Sequence, residues 1–302
     1  MTAVVARAPA KINVALAVGP LRPDGFHELR TVYLAVSLFD SVTVRPGDGV
    51  SVSVTGIDAD AVPTDRGNLV WRAAELLAEH AGVRADAAIE IAKSIPAAAG
   101  LAGGSADAAA ALVALDRLWG TGAARSDLER LAAELGSDVP FSLVGGVALG
   151  SGRGEQVSPV LARTPSHWVL GIAGEGLSTP TVYGELDRLR ADGAVPDGEP
   201  MAPVEPVLAA LRSGTPSALG EALGNDLQAP ALALRPELGR ALRAVTAAGA
   251  LAALVSGSGP TVAALADDEQ AAVRLAAELA GAGVFRTVRA VHGPVPGARL
   301  VG

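Results

Sequence analysis

The run Pro96-Ala97-Ala98-Ala99-Gly100-Leu101-Ala102-Gly103-Gly104-Ser105-Ala106 lies between a strand-like stretch at 88 to 93 and a long helical one. Glycines in such a place let backbone N–H groups approach an anion closely. A helix N-terminus adds unpaired donors and a partial positive charge, so the natural ligand is a phosphate. The run is not a Walker loop, because no Gly-Lys-Ser/Thr closes it. Nor is it a dinucleotide fingerprint, since GxGxxG spacing is absent and no acidic residue follows a second strand at the right distance. An ordinary glycine-rich helix entry would look the same from the loop alone.

Lysine and asparagine point to the same region. The chain has 24 Lys plus Arg, yet lysine stands only at Lys11 and Lys93. One lies in the N-terminal apolar stretch and the other just before the glycine-rich run, where a compact ammonium does what a planar guanidinium does not. Asparagine occurs only at Asn13, Asn68 and Asn225. Chance survival under a biased composition is the plain alternative.

Stepping outward, Ile12 to Val18, Ser41 to Arg45 and Val50 to Thr55 read as short strands, with a helix beginning at Asn68. After the loop, Leu112, Leu115 and Trp119 form one helical stripe, and Ser126 with Glu129 reads as a capping box for the next helix. Gly, Arg, Pro and Ser gather at 151 to 165, which places a domain boundary there. Beyond a Pro/Gly-rich loop at 191 to 206, helices are expected near 204–211, 215–223 and 236–247. A strand pair around 251–265, a helix at 268–281 and a strand at 285–291 complete the chain, and no internal repeat is evident.

The 302 residues suit two domains, and a half-hydrophobic composition with 19% charged residues describes an ordered globular chain. A net charge of −8 and a pI near 5.1 disfavour nucleic acid as a partner, because phosphate backbones are gripped by broad basic surfaces. With no cysteine there is neither a disulfide framework nor a zinc-cysteine site. Arg7, Pro9 and Lys11 interrupt what would be the apolar core of a signal peptide, so a cytoplasmic protein is expected. Residues 244 to 266 carry no charge, but Ser256-Gly257-Ser258-Gly259-Pro260 in their middle argues for a turn between two buried strands rather than a membrane span.

Three segments, PAAAGLAGGSADAAAAL (96–112), APAKINVALAVG (8–19) and VSGSGPTVAAL (255–265), together resemble the galactokinase, homoserine kinase, mevalonate kinase and phosphomevalonate kinase superfamily, in matching order across nearly the whole chain. RPDGFHELRTVYLAVSLFDSVTV (22–44) and GSDVPFSL (136–143) are similar to the branch that phosphorylates a cytidine-diphosphate-linked polyol of the non-mevalonate isoprenoid pathway at its 2-hydroxyl. The resemblance implies an α+β, two-domain fold. Its N-terminal domain (1–160) would be like ribosomal protein S5 domain 2, its C-terminal domain (161–302) ferredoxin-like, with the substrate cleft between them. ATP, with magnesium arriving alongside it and no fixed protein metal site, would lay its phosphates on residues 96 to 106.

By the same resemblance, Asp138 is the base that takes the proton from the substrate hydroxyl, and Lys11 orients that hydroxyl and steadies developing charge. Read locally, Asp138 is a turn or helix cap in Gly136-Ser-Asp-Val-Pro140, and Lys11 an edge-strand lysine reaching solvent. Phe26 and Tyr183 would sandwich the cytosine while His27 hydrogen-bonds its polar edge, although aromatic residues are also common core material. Asn13 would touch the substrate near the reacting hydroxyl; Lys93 and Asn68 would serve ATP, Asn68 at the adenine. Ala98 and Ala102 stand where the superfamily often has glycine. The turn at Gly257-Ser258-Gly259 resembles its third motif, packed beside the phosphate loop. His80, His167 and His292 lack paired ligand spacing. A monomer or homodimer without membrane partners is expected. Another acceptor (homoserine, mevalonate or a sugar), a decarboxylase, or a regulator that binds nucleotide without turnover are the alternatives, and retention of both Lys11 and Asp138 speaks against the last.

Overall fold

A computed structural model describes residues 3–174, 176–199 and 201–302. The chain begins with strands β1 (Val4–Leu21), β2 (His27–Arg45) and β3 (Val50–Gly56), helix α1 (Leu69–Ala81) and strand β4 (Ala87–Lys93). Helices α2 (Gly103–Trp119), α3 (Arg125–Leu135) and α4 (Val139–Val144) follow, then strands β5 (Val147–Ser151), β6 (Gln156–Pro159) and β7 (Ser166–Ile172). Next come α5 (Thr179–Ala191), α6 (Glu205–Ser213), α7 (Pro216–Ala222), β8 (Gly224–Asn225), α8 (Gln228–Leu234) and α9 (Glu237–Ala247). The chain closes with β9 (Ala252–Val255), β10 (Thr261–Ala266), α10 (Glu269–Gly281), β11 (Thr287–Gly293) and β12 (Arg299–Leu300).

Two sheets organise these elements. The larger runs β12-β1-β2-β4-β3, with β5 and then β6 continuing from β2, and β8 alongside β1. The smaller runs β11-β7-β10-β9 with antiparallel neighbours throughout. Counted within that sheet, the order is 4-1-3-2 with helices in the two crossovers, which is the ferredoxin-like arrangement. Strands β1 to β6 all precede residue 160 and all enter the larger sheet, while β8 and β12 return to it from the far end of the chain.

The first two strands are much longer than the sequence pattern suggests. Most of β1 is buried on both faces, so the alternation that marks a half-exposed strand is missing. Pro9, which cannot donate to a ladder, sits at a register shift between β1 and β2. The charge-free stretch at 244–266 holds the end of α9 and then the β9–β10 pair about a glycine turn, and among the described residues no helix is long and apolar enough to cross a membrane. The capping box expected at Ser126 and Glu129 does not form. Helix α3 begins two residues earlier, behind Ala124, and Glu129 instead receives the Arg125 guanidinium at 2.9 Å. Helix α8, missed in the sequence because Pro230 interrupts it, packs against α5.

Helix α1 shows how local rules build the frame: Asn68 caps it, Gly82 ends it in the left-handed region, and Val70, Ala73, Ala74, Leu77 and Ala78 line its buried face. Helix α2 is buried on nearly all sides, which its alanine run permits by keeping the helix thin against β1, β2 and α1. That burial fixes the direction of its N-terminus, and so the loop before it.

Candidate active site

A cavity of about 690 Å³ opens between the two sheets. On one side lie β1, β2 and the loop into α2; on the other, α5 and the turn between β9 and β10. Lys11, Asn13, Phe26, His27, Tyr33, Asp138, Arg153 and Tyr183 line it, together with Ala98, Ala99, Gly100 and Ala102 to Ser105. Residues far apart in sequence thus converge on one space.

Strand alternation does the first part of the assembly. Lys11 and Asn13, two residues apart on β1, share a face, and Tyr33 stands directly opposite Asn13 on β2. A register shift follows immediately, between Asn13 and Ala15, and Asn13 Nδ2 donates to Thr31 Oγ1 at 2.7 Å. Lys11 Nζ donates to Asn13 Oδ1 at 2.8 Å and lies 3.5 Å from Asp138 Oδ2.

Asp138 stands at the N-cap position of α4, yet its side chain makes no cap hydrogen bond. Its carboxylate turns to Lys11 and to Tyr33, whose hydroxyl donates to Oδ1 at 3.0 Å. Burial and the nearby Asp138 charge push the Tyr33 phenol well above its ordinary pKa, so it remains a donor. The carboxylate is therefore held by one hydrogen bond and one ion pair while about 30% of its side chain stays exposed.

The loop supplies the other half. Ala98, Gly100 and Ala102, at alternate positions, all have positive φ (50°, 75° and 58°), a sharply turned backbone that lines the cavity and leads straight into the N-terminus of α2. At Gly100 a Cβ would collide with the Ser256 carbonyl, and Ser256 Oγ donates to the Gly100 carbonyl at 3.3 Å, so the β9–β10 turn is seated on the loop. Asn225 shapes that turn by donating to the carbonyls of Val255 and Gly257 at 2.8 and 2.7 Å. Alanine at 98 and 102 keeps a backbone shape that glycine adopts at lower cost.

Not every loop residue reaches the cavity. Pro96, Ala97, Leu101 and Ala106 lie behind it, outside its lining. Lys93 is also displaced from the expected ATP contact. Its ammonium is buried between Asp40 and Asp107, the latter at 2.6 Å, and a Cβ on Gly103 would sit 3.1 Å from it, so the lysine lies beneath the loop. Asp40 Oδ1 also accepts from the backbone of Ser94 and Ile95. Asn68, expected at the adenine, spends its side chain on capping α1 and on the Pro63 carbonyl, and it does not line the cavity. The sequence offered the N-cap signal at Asn68, an asparagine just ahead of an apolar periodic run.

At the opposite end, the His27 ring stacks on Tyr183 with centroids 5.1 Å apart, and its Nε2 is 2.8 Å from Asp187 Oδ1 on α5. Burial raises the Tyr183 phenol pKa. Phe26 is exposed at the rim, and the Arg153 guanidinium lies 4.9 Å above its ring. Tyr33, Asp187 and Arg153 were absent from the sequence reading, because nothing in their local pattern separates them from core or surface residues. Among the described residues no three His, Asp or Glu gather as metal ligands do.

The GHMP kinases N terminal domain family matches residues 68–146 and the GHMP kinases C terminal family matches 207–284. Over 299 residues, 99% of this chain and 95% of the other, the sequence is 59% identical to a 4-diphosphocytidyl-2-C-methyl-D-erythritol kinase of Rhodococcus jostii (strain RHA1). A crystal structure of 4-(cytidine 5'-diphospho)-2C-methyl-D-erythritol kinase superposes with a TM-score of 0.77 at 37% identity, covering 99% of both chains. Homoserine kinase from Cytophaga hutchinsonii ATCC 33406 superposes with a TM-score of 0.75 at 20% identity over 100% of this chain and 98% of its own, a likeness of fold alone.

Proposed function

Because this chain belongs to the 4-diphosphocytidyl-2-C-methyl-D-erythritol kinase family of GHMP kinases, we propose that it transfers the γ-phosphoryl group of ATP to the 2-hydroxyl of 4-diphosphocytidyl-2-C-methyl-D-erythritol. Asp138 takes the hydroxyl proton as the oxygen forms its bond to the γ-phosphorus, the bond from that phosphorus to the bridging oxygen breaks, and ADP leaves. Lys11 orients the same oxygen and offsets its developing negative charge, with Asn13 beside it. The observation that carries this reading is the carboxylate of Asp138: it forgoes the helix cap, meets Lys11 and Tyr33, and faces the cavity lined by the glycine-rich loop.

Backbone N–H groups between Ala98 and Ser105 receive the ATP phosphates, a reading supported by the loop's place in the cavity lining and by the start of α2. Magnesium arrives with ATP. The cytosine lies at the Phe26, His27 and Tyr183 end, where stacking is worth about 1–3 kcal/mol per base, and Arg153 is the nearby cation suited to the acceptor's diphosphate. With His27 Nε2 engaged by Asp187, the imidazole orientation is fixed in advance for the base. On this division residues 1–160 carry the phosphate loop and reacting groups, and 161–302 complete the cleft.

ADP release with magnesium and ATP, measured against diphosphocytidyl-methylerythritol, mevalonate, homoserine and galactose, tests the assignment. Turnover confined to the cytidine compound is expected. Turnover on another acceptor would retain the phosphate site and overturn the cytosine site.

A further inference from the structure

Asp58 lies just past β3, outside the cavity lining, in a backbone conformation (φ 53°) that non-glycine residues seldom adopt. It holds the N-cap position of a short 3-10 turn but does not cap it with its side chain. Instead Oδ2 accepts from the backbone N–H of Ala97, in the glycine-rich loop, at 3.2 Å. Both carboxylate oxygens also receive the Arg286 guanidinium, at 2.8 and 3.0 Å. Arg286 lies at the entry to β11, where its own N–H donates to the Ile172 carbonyl of β7 at 2.8 Å, so its backbone is part of the smaller sheet.

From this arrangement we infer that Asp58 and Arg286 form a latch that ties the smaller sheet to the phosphate loop and holds residues 97 to 102 in their ATP-binding conformation. The two are positioning residues. An isolated surface ion pair contributes little, but three features set this one apart. The geometry is a two-pronged guanidinium–carboxylate fork, the Asp58 side chain is 19% exposed although the Arg286 side chain is 47% exposed, and the same carboxylate fixes a loop amide next to Ala98, whose left-handed backbone needs outside support. The hydrogen bonds from Arg286, and then its charge, also hold Asp58 below the usual carboxylate range, which keeps it an acceptor for Ala97. The ordering of the loop is thereby made to depend on how the smaller sheet is seated.

This inference rests on residues 96–106 holding the ATP phosphates, so its test includes a readout independent of ATP. Arg286→Ala, Arg286→Lys, Asp58→Ala and the Asp58→Ala/Arg286→Ala double variant are compared in the full chain by steady-state kinetics and by amide hydrogen exchange of peptides spanning 94–102 without ligand. Arg286→Ala is expected to raise KM for ATP roughly 3–10-fold while kcat and KM for the acceptor stay within about twofold. Exchange in the loop peptides should quicken, with peptides from α9 and α10 unchanged. Arg286→Lys should recover only part of the loss, because an ammonium cannot form the fork. The double variant should be no worse than Asp58→Ala alone. Unchanged loop exchange in Arg286→Ala would overturn the latch, and so would equal loss in kcat and both KM values with lowered Tm, which marks general destabilisation. If loop exchange quickens but KM for ATP does not move, the latch stands and the loop's assignment to ATP falls.

Discussion

Lys11 and Lys93 are both buried, both meet aspartate, and both lie close to the loop before α2, yet their surroundings differ in charge balance. Around Lys11 the ammonium faces one carboxylate at 3.5 Å and one amide oxygen, and Asp138 keeps part of its surface toward the cavity. Around Lys93 a single ammonium serves two carboxylates that are almost wholly buried, and Asp40 spends its second oxygen on the loop backbone. The first cluster has hydrogen-bonding capacity left for a ligand. The second is closed, and its electrostatics are spent on fixing where β4 ends and the loop begins. On the proposed mechanism, two lysines of equal rarity thus divide the labour of one site: Lys11 at the reacting hydroxyl, Lys93 holding the floor beneath it.

The largest effect expected from this contrast is on turnover at the open cluster. Asp138→Asn should fold and bind ATP while kcat falls about 10²–10⁴-fold, the usual worth of a general base. Retention of most turnover would show that the carboxylate is not the base. Lys11→Met should likewise cost far more activity than stability. At the closed cluster the order reverses: Lys93→Met strands two buried carboxylates and should cost about 3–5 kcal/mol of stability, read from the urea midpoint. Lys93→Met/Asp107→Leu should recover part of that, since one stranded charge is gone. Equal stability losses for Lys11→Met and Lys93→Met would abolish the distinction.

Why the sequence separates these lysines only in part is a matter of range. The glycine-rich loop, the β9–β10 turn and the helices after residue 204 are local patterns, and local patterns carry local physics: a cap, a turn, an apolar period. Lys11 could be tied to Asp138 only through resemblance, because 127 positions separate them and their meeting depends on β1 alternation and on the placing of α4. Lys93 sits three residues before Pro96 in sequence but beneath the loop in space, pulled there by Asp40 from β2 and Asp107 from α2, and neither aspartate has any mark of its own in the sequence. Asn68 is the opposite case: a helix start is legible there in the sequence, and in the structure its side chain caps α1 and holds the Pro63 carbonyl, outside the cavity lining.

The closed cluster should also carry a pH signature. Burial pushes the Asp107 carboxyl up to about 8, with Lys93 pulling it down and Asp40 pushing it up; its Oδ1 has no partner among the described residues. Burial also opposes the charge on Lys93, but Asp107 and Asp40 outweigh it and raise the ammonium pKa. An acid whose folded pKa exceeds its unfolded value of 3.8 binds its proton more tightly in the folded chain. Its contribution to stability is whole below about 4 and declines as pH rises toward about 8. Asp107→Asn keeps a carbonyl oxygen for Lys93 and replaces the titrating group with a neutral one, so little stability should be lost at pH 5. Between pH 5 and 8 the variant's Tm should fall less steeply than that of the unaltered chain. Parallel Tm curves would mean that Asp107 stays ionised across this range and that Lys93 alone balances both carboxylates.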